Sequence, residues 1–74
     1  MQFFILGLDG KHLVVDFEPE TKIDAVADYF ESVTGIPASR VLFIYAGKFI
    51  RQGARLVDAG IQSESTLKVN LRFT

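Results

Sequence analysis

The chain has 74 residues and no cysteine, and nearly half of its residues are apolar, seven of them phenylalanine. That is one domain, near the size at which a single core suffices, held by packing alone with neither a disulfide framework nor a thiolate metal site. Eight basic against nine acidic residues leave a net charge of −1, without the basic stripe of a dedicated nucleic-acid surface. No apolar run approaches the roughly 18–20 residues that span a bilayer. Met1-Gln2-Phe3-Phe4 has neither the charged region nor the small-residue site of a signal peptide. The expectation is a soluble domain of the cytoplasm or nucleus that binds neither membrane nor nucleic acid.

Met1 to Phe17 reads as a hairpin. Met1, Phe3 and Ile5 alternate with Gln2, Phe4 and Leu6, and Leu13, Val15 and Phe17 alternate with His12, Val14 and Asp16. Leu8-Asp9-Gly10 supplies the turn, with glycine free to take a positive φ. Phe4, Leu6 and Val14 make the second face more apolar than a solvated face usually is. Pro19 closes the second strand because proline cannot donate to a ladder.

Thr21-Lys22-Ile23-Asp24 has the form of a capping box, with Thr21 as N-cap and Asp24 as a weaker partner than Glu. Ile23, Val26, Ala27 and Phe30 fall at i, i+3, i+4 and i+7, one stripe of an amphipathic helix whose other side carries Asp24, Asp28 and Glu31. Gly35 suits the position just past the end, and Pro37 blocks continuation. The spacing predicts a helix over 22–34.

Arg40 to Ile50 is the densest apolar run, a strand, a turn at Ala46-Gly47 and a second short strand. Alternation sets Val41, Phe43 and Tyr45 on one side and Arg40, Leu42 and Ile44 on the other. Gln52-Gly53 turns into a looser segment anchored by Leu56 and Ile61, with Asp58 placed to cap a short helical turn. Leu67, Val69 and Leu71 then share one side of a final strand over 65–72. The pattern is an α+β domain, a mixed sheet of four to five strands with one helix on one face, joined by a right-handed crossover. The uncovered face must meet solvent or a partner.

The chain resembles ubiquitin. Matches run end to end without a gap: Met1-Gln2, Phe4, Leu8, Gly10-Lys11, Glu18-Pro19, Ile23, Val26, Gly35-Ile36-Pro37, Ile44, Ala46-Gly47-Lys48, Gly53, Leu56, Asp58, Ile61-Gln62, Glu64-Ser65-Thr66-Leu67 and Leu71-Arg72. Turn and cap residues keep register, while core and helix positions differ, so the resemblance is to a divergent family member with a β-grasp fold.

The resemblance carries two activities. Conjugation needs a flexible tail ending in Gly-Gly; this sequence reads Leu71-Arg72-Phe73-Thr74, and the family's basic residue at position 42 is Leu42, although Arg72 is kept. The expectation is a domain that is not conjugated as it stands, the alternative being a modifier whose glycines lie beyond Thr74. Lys11 and Lys48 occupy chain-building positions of the family and are possible modification acceptors, set against the plainer role of two solubilising lysines.

For recognition, the family patch is built on Leu8, Ile44 and positions 68 and 70, where Lys68 and Asn70 replace its histidine and valine. Leu6, Leu42 and Phe49 stand where the family has polar or basic groups. The resemblance therefore implies a patch displaced toward Leu6, Leu42, Ile44 and Phe49, with Lys48, Lys68 and Arg72 as a basic rim. Partners would be ubiquitin-pathway receptors or the remainder of its own chain; self-association through this face is a variant.

Catalysis is not expected. His12 faces outward beside Lys11 with no nucleophile, Ser32, Ser39, Ser63 and Ser65 lack a positioned base, and Asp24, Asp28 and Glu31 read as a solvated face rather than a metal site. Gly7-Leu8-Asp9-Gly10 is too short for a phosphate cradle. Neither cofactor nor metal is implied.

Overall fold

A computed structural model describes residues 1–72; Phe73 and Thr74, the end of the tail read above for glycines, lie outside the described residues. In chain order it has β1 (Gln2–Leu6), β2 (His12–Asp16), α1 (Ile23–Thr34), a single 3-10 turn (Ala38–Arg40), β3 (Val41–Tyr45), β4 (Lys48–Phe49) and β5 (Thr66–Leu71). They form one five-stranded sheet of order β2-β1-β5-β3-β4. Only the β1–β5 pairing is parallel, and the other three are antiparallel.

The alternation read from the sequence decides the two faces. Phe3, Ile5, Val15, Val41, Phe43, Leu67 and Val69 are buried on one face, where they meet Ile23, Val26 and Phe30 of α1 and Leu56 and Ile61 of the loop after β4. Phe30 and Phe43 pack edge to face with ring centroids 6.3 Å apart, tying helix to sheet. No polar or charged residue is buried among the described residues. The core is apolar packing throughout.

Both ends of the helix differ in how legible they are. At the C-terminal end Gly35 takes φ 80° and its N–H donates to the Glu31 carbonyl, as the glycine predicts. Thr34 adds a hydroxyl donated to the Phe30 carbonyl at 2.8 Å. At the start the capping box does not form: Lys22, not Thr21, precedes the helix, and no side chain caps it. Instead the entry is strapped to the loop after β4. Ile23 N–H donates to the Ala54 carbonyl at 2.8 Å and Leu56 N–H donates to the Thr21 carbonyl at 2.9 Å. The Asp24 carboxylate turns outward to accept from Gly53 N–H at 2.9 Å. Tertiary bonds thus fix the helix entry in place of a local box, and one of them satisfies the Ile23 donor.

Asp58 caps nothing either. The turns around it close through backbone bonds such as Gly60 N–H to the Val57 carbonyl, and its carboxylate lies 3.6 Å from Arg55 instead. The Ala46-Gly47 turn is as read: φ is 54° and 78°, and Tyr45 pairs with Lys48 across it. Two successive positive φ values make it the hairpin turn whose twist matches the strands.

Candidate protein-docking face

The strand registers place the expected site residues in rows across the sheet. Leu6 pairs with Lys68, Lys68 with Ile44, and Ile44 with Phe49. Leu6 also pairs with His12 on its other side. One row, His12-Leu6-Lys68-Ile44-Phe49, therefore crosses all five strands on the face that α1 leaves open, over roughly 19 Å at the usual strand spacing. In the next row Leu42 pairs with Asn70. Leu6, Leu42 and Ile44 are half-buried, and Phe49 is 61% exposed.

Phe4 and Val14 extend this surface. They pair with each other across β1 and β2 and share the parity of Leu6, with Val14 50% exposed. Their alternation gave the signal in the sequence, though they were not placed in the expected site.

Two expected residues lie elsewhere. Leu8 sits in the β1–β2 turn and lines a groove with Leu13, Val33 and Ile36 rather than the sheet rows. Lys48 pairs with Tyr45, so it shares the parity of the core-facing side and belongs to the β4 edge rather than to the basic rim of the patch. Both Lys48 and Lys11 are exposed. Lys11 ends an Asx turn in which its N–H donates to the Asp9 carboxylate at 3.0 Å.

Along β3, β4 and β5 the charge is of one sign. Residues 40–51 and 65–72, which supply β3, β4 and β5, contain Arg40, Lys48, Arg51, Lys68 and Arg72 and no carboxylate. Arg72 is held beside Arg40 by a 2.7 Å bond from its N–H to the Arg40 carbonyl, and the Arg40 guanidinium reaches back to the Arg72 carbonyl at 3.4 Å. Asp16, on the same face at the far edge, is occupied by the Met1 amine at 2.9 Å. Leu42, Phe49 and Arg72 also line an open cleft of 490 Å³ that runs round the β3–β4 edge to Asp24 and Asp28 of the helix.

The face combines apolar side chains, one exposed aromatic ring and arginines at the margin, residue types that are enriched where proteins meet. Among the described residues no group of histidine, cysteine or carboxylate side chains could hold a metal ion, and no helix is long and apolar enough to cross a membrane. The sequence model of the ubiquitin family matches residues 3–74; with its single helix on a five-stranded mixed sheet, the chain belongs to the ubiquitin family and has its β-grasp fold.

Proposed function

We propose that this domain is a docking module that binds partner proteins through the open sheet face centred on Ile44. The ubiquitin family is a non-enzymatic fold of protein modifiers and interaction domains, and its members generally bind other proteins. The observation that carries the reading is the row Leu6-Lys68-Ile44-Phe49, apolar but for one lysine, on the face the helix does not cover. With Phe4, Val14 and Leu42 it forms two apolar groups, on β1–β2 and on β3–β4, flanking the polar outward residues Thr66, Lys68 and Asn70 of β5, and apolar groups gathered on one open face mark an interaction surface. The flanking cations favour a partner whose apolar anchor is bordered by carboxylates.

The test is a titration of isotopically labelled domain with a ubiquitin-receptor domain, followed by amide chemical shifts. Perturbations are expected at Leu42, Ile44, Phe49 and Lys68, and Ile44→Asp should abolish them. Perturbations confined to α1, or unchanged by Ile44→Asp, would overturn the reading.

A further inference from the structure

The sheet has two edges, and only one is guarded. β4 ends one side with two residues, one of them Lys48, the short and charged form that discourages pairing with another chain. β2 ends the other with five, His12-Leu13-Val14-Val15-Asp16, without proline and without charge in the middle three. Two bonds fix the phase of its ladder with β1. Gly7 N–H donates to the Lys11 carbonyl at 2.9 Å, and Phe17 N–H donates to the Met1 carbonyl at 3.1 Å. Bonded pairs alternate in an antiparallel ladder. Leu13 and Val15 therefore bond inward, and the N–H and C=O groups of His12, Val14 and Asp16 point away from the sheet. Among the described residues no loop or side chain bonds to those six groups.

We infer that β2 pairs with β2 of a second copy of this chain, antiparallel about a two-fold axis at Val14. The strand is complementary to itself in that register. Val14 meets Val14 of the second copy, Leu13 meets Val15, and His12 meets Asp16 in both directions. Each of the outward-facing pairs exchanges two hydrogen bonds, so all the free groups of both strands are satisfied. The same register brings the Lys11 end of each strand against the Glu18 end of the other. Asp16 gives one carboxylate oxygen to Met1 and keeps the second for the histidine opposite. A slip of two residues would set charged or polar side chains against Val14, and a slip of one would match outward groups with inward ones.

The helix supplies the second half of the interface. Tyr29 and Val33, one turn apart on α1, are 41% and 50% exposed, and both overhang β2. The Tyr29 ring meets Phe17 edge-on at 6.0 Å, and Val33 lines a 530 Å³ groove with Lys11, His12 and Leu13. A two-fold axis normal to the sheet puts both helices on one side, where Tyr29 and Val33 face their counterparts above the joined strands. The contact is isologous and therefore closes at two copies. It uses the β2 end of the open face, at His12 and Val14, and leaves Leu42, Ile44 and Phe49 on the far strands free.

Sedimentation velocity and amide hydrogen exchange over about 10 µM to about 1 mM test the pairing, a range that brackets weak and moderate dimers. The mass should double and go no higher. The amides of His12, Val14 and Asp16 should slow with concentration, while those of Leu13 and Val15 stay protected throughout. Val14→Lys sets like charges together at the axis and should weaken the dimer at least about tenfold; His12→Asp, opposite Asp16, should act the same way at another exposed site. Val14→Thr and Ile44→Asp should leave the dimer intact. The proposal is overturned by a monomer at the highest concentration, by dimers that survive both Val14→Lys and His12→Asp, by a doubling without protection at the even-numbered amides, or by protection that requires an added extended peptide while the chain itself stays monomeric. Loss of the dimer in Ile44→Asp alone would move self-association to the sheet face instead.

Discussion

Ile44 and Phe49 stand directly opposite each other across the β3–β4 hairpin, one half-buried and the other 61% exposed. A cross-strand pair of this kind contributes about 0.2–1 kcal/mol to the sheet. Phe49 touches the sheet at its edge, on a strand of two residues. Phe49→Ala should therefore lower the unfolding free energy by less than about 1 kcal/mol, read from the urea midpoint. If the ring anchors a partner, the same substitution should weaken binding about tenfold or more. Affinity unchanged beside a modest loss of stability would remove Phe49 from the site.

Asn70 is the polar member of the second row, paired with Leu42 and exposed. Its side chain accepts a hydrogen bond from Leu71 N–H at 2.9 Å, a local contact that solvent can replace. The family's valine at this position offers apolar area where Asn70 offers an amide. Asn70→Val should tighten binding to a ubiquitin-receptor domain by about threefold to tenfold, the worth of one partly buried aliphatic group. Calorimetry of both forms against one receptor domain checks it, and weaker binding by Asn70→Val would place the partner contact off this row.

Ala46 holds φ at 54° in a turn followed by Gly47 at 78°. A residue with a Cβ is disfavoured there by about 1–2 kcal/mol, and Asn-Gly is the pair best suited to two positive φ values in succession. Ala46 is exposed, so replacement disturbs no packing. Ala46→Asn should raise stability by about 0.5–1 kcal/mol with the denaturant slope unchanged, and Gly47→Ala should lower it by about 1 kcal/mol. Equal and opposite shifts are not required; the signs are.

What could be read from the sequence was whatever a short window encodes. Period-two alternation gave the faces of β1, β2, β3 and β5, and therefore the grouping of Leu6, Leu42 and Ile44, because a strand has only two sides. Gly35 with Pro37 and Ala46 with Gly47 marked ends and turns through backbone chemistry that needs no distant partner. The helix start differs from the capping box because Ile23 N–H is met by the Ala54 carbonyl and the Asp24 carboxylate is taken by Gly53 N–H, both far along the chain and without periodicity. A two-residue strand is too short to show alternation, so the side of Lys48 follows only from its pairing with Tyr45. Leu8 matched by position, yet the turn carries it into a groove beneath the helix end. The outward phase of β2 depends on which residues bond β1, and alternation alone leaves that phase open.

The strap at the helix start separates two accounts of the same residues. In a capping box Thr21 would be the residue that matters, and its loss would cost about 1 kcal/mol. Here the Thr21 side chain caps nothing and only its backbone is used, its N–H donating to the Glu18 carbonyl and its carbonyl accepting from Leu56. The carboxylate of Asp24, by contrast, accepts a 2.9 Å bond from Gly53 N–H. Thr21→Ala should stay within about 0.5 kcal/mol of the parent, while Asp24→Ala should cost about 1 kcal/mol. Thermal unfolding of the pair decides it, and the reverse ranking would restore the local cap.

The Met1 amine donates to the Asp16 carboxylate at 2.9 Å, and its pKa is raised above the ordinary value of 8.0. The hydrogen bond to Asp16 is the main cause; desolvation opposes it, and the charges of Asp16 and Glu18 add to it. A folded-state pKa above the unfolded one means that folding favours the protonated amine. The contribution is full below pH 8.0 and is lost as pH rises through the raised value. The urea midpoint should therefore fall on the alkaline side of that window, more steeply in the parent than in Asp16→Asn, where the amine has no carboxylate to hold it. Acetylation of the amine should flatten the same limb of the curve. A parent and an Asp16→Asn variant whose stabilities decline in parallel through this range would show that the ion pair contributes nothing to the fold.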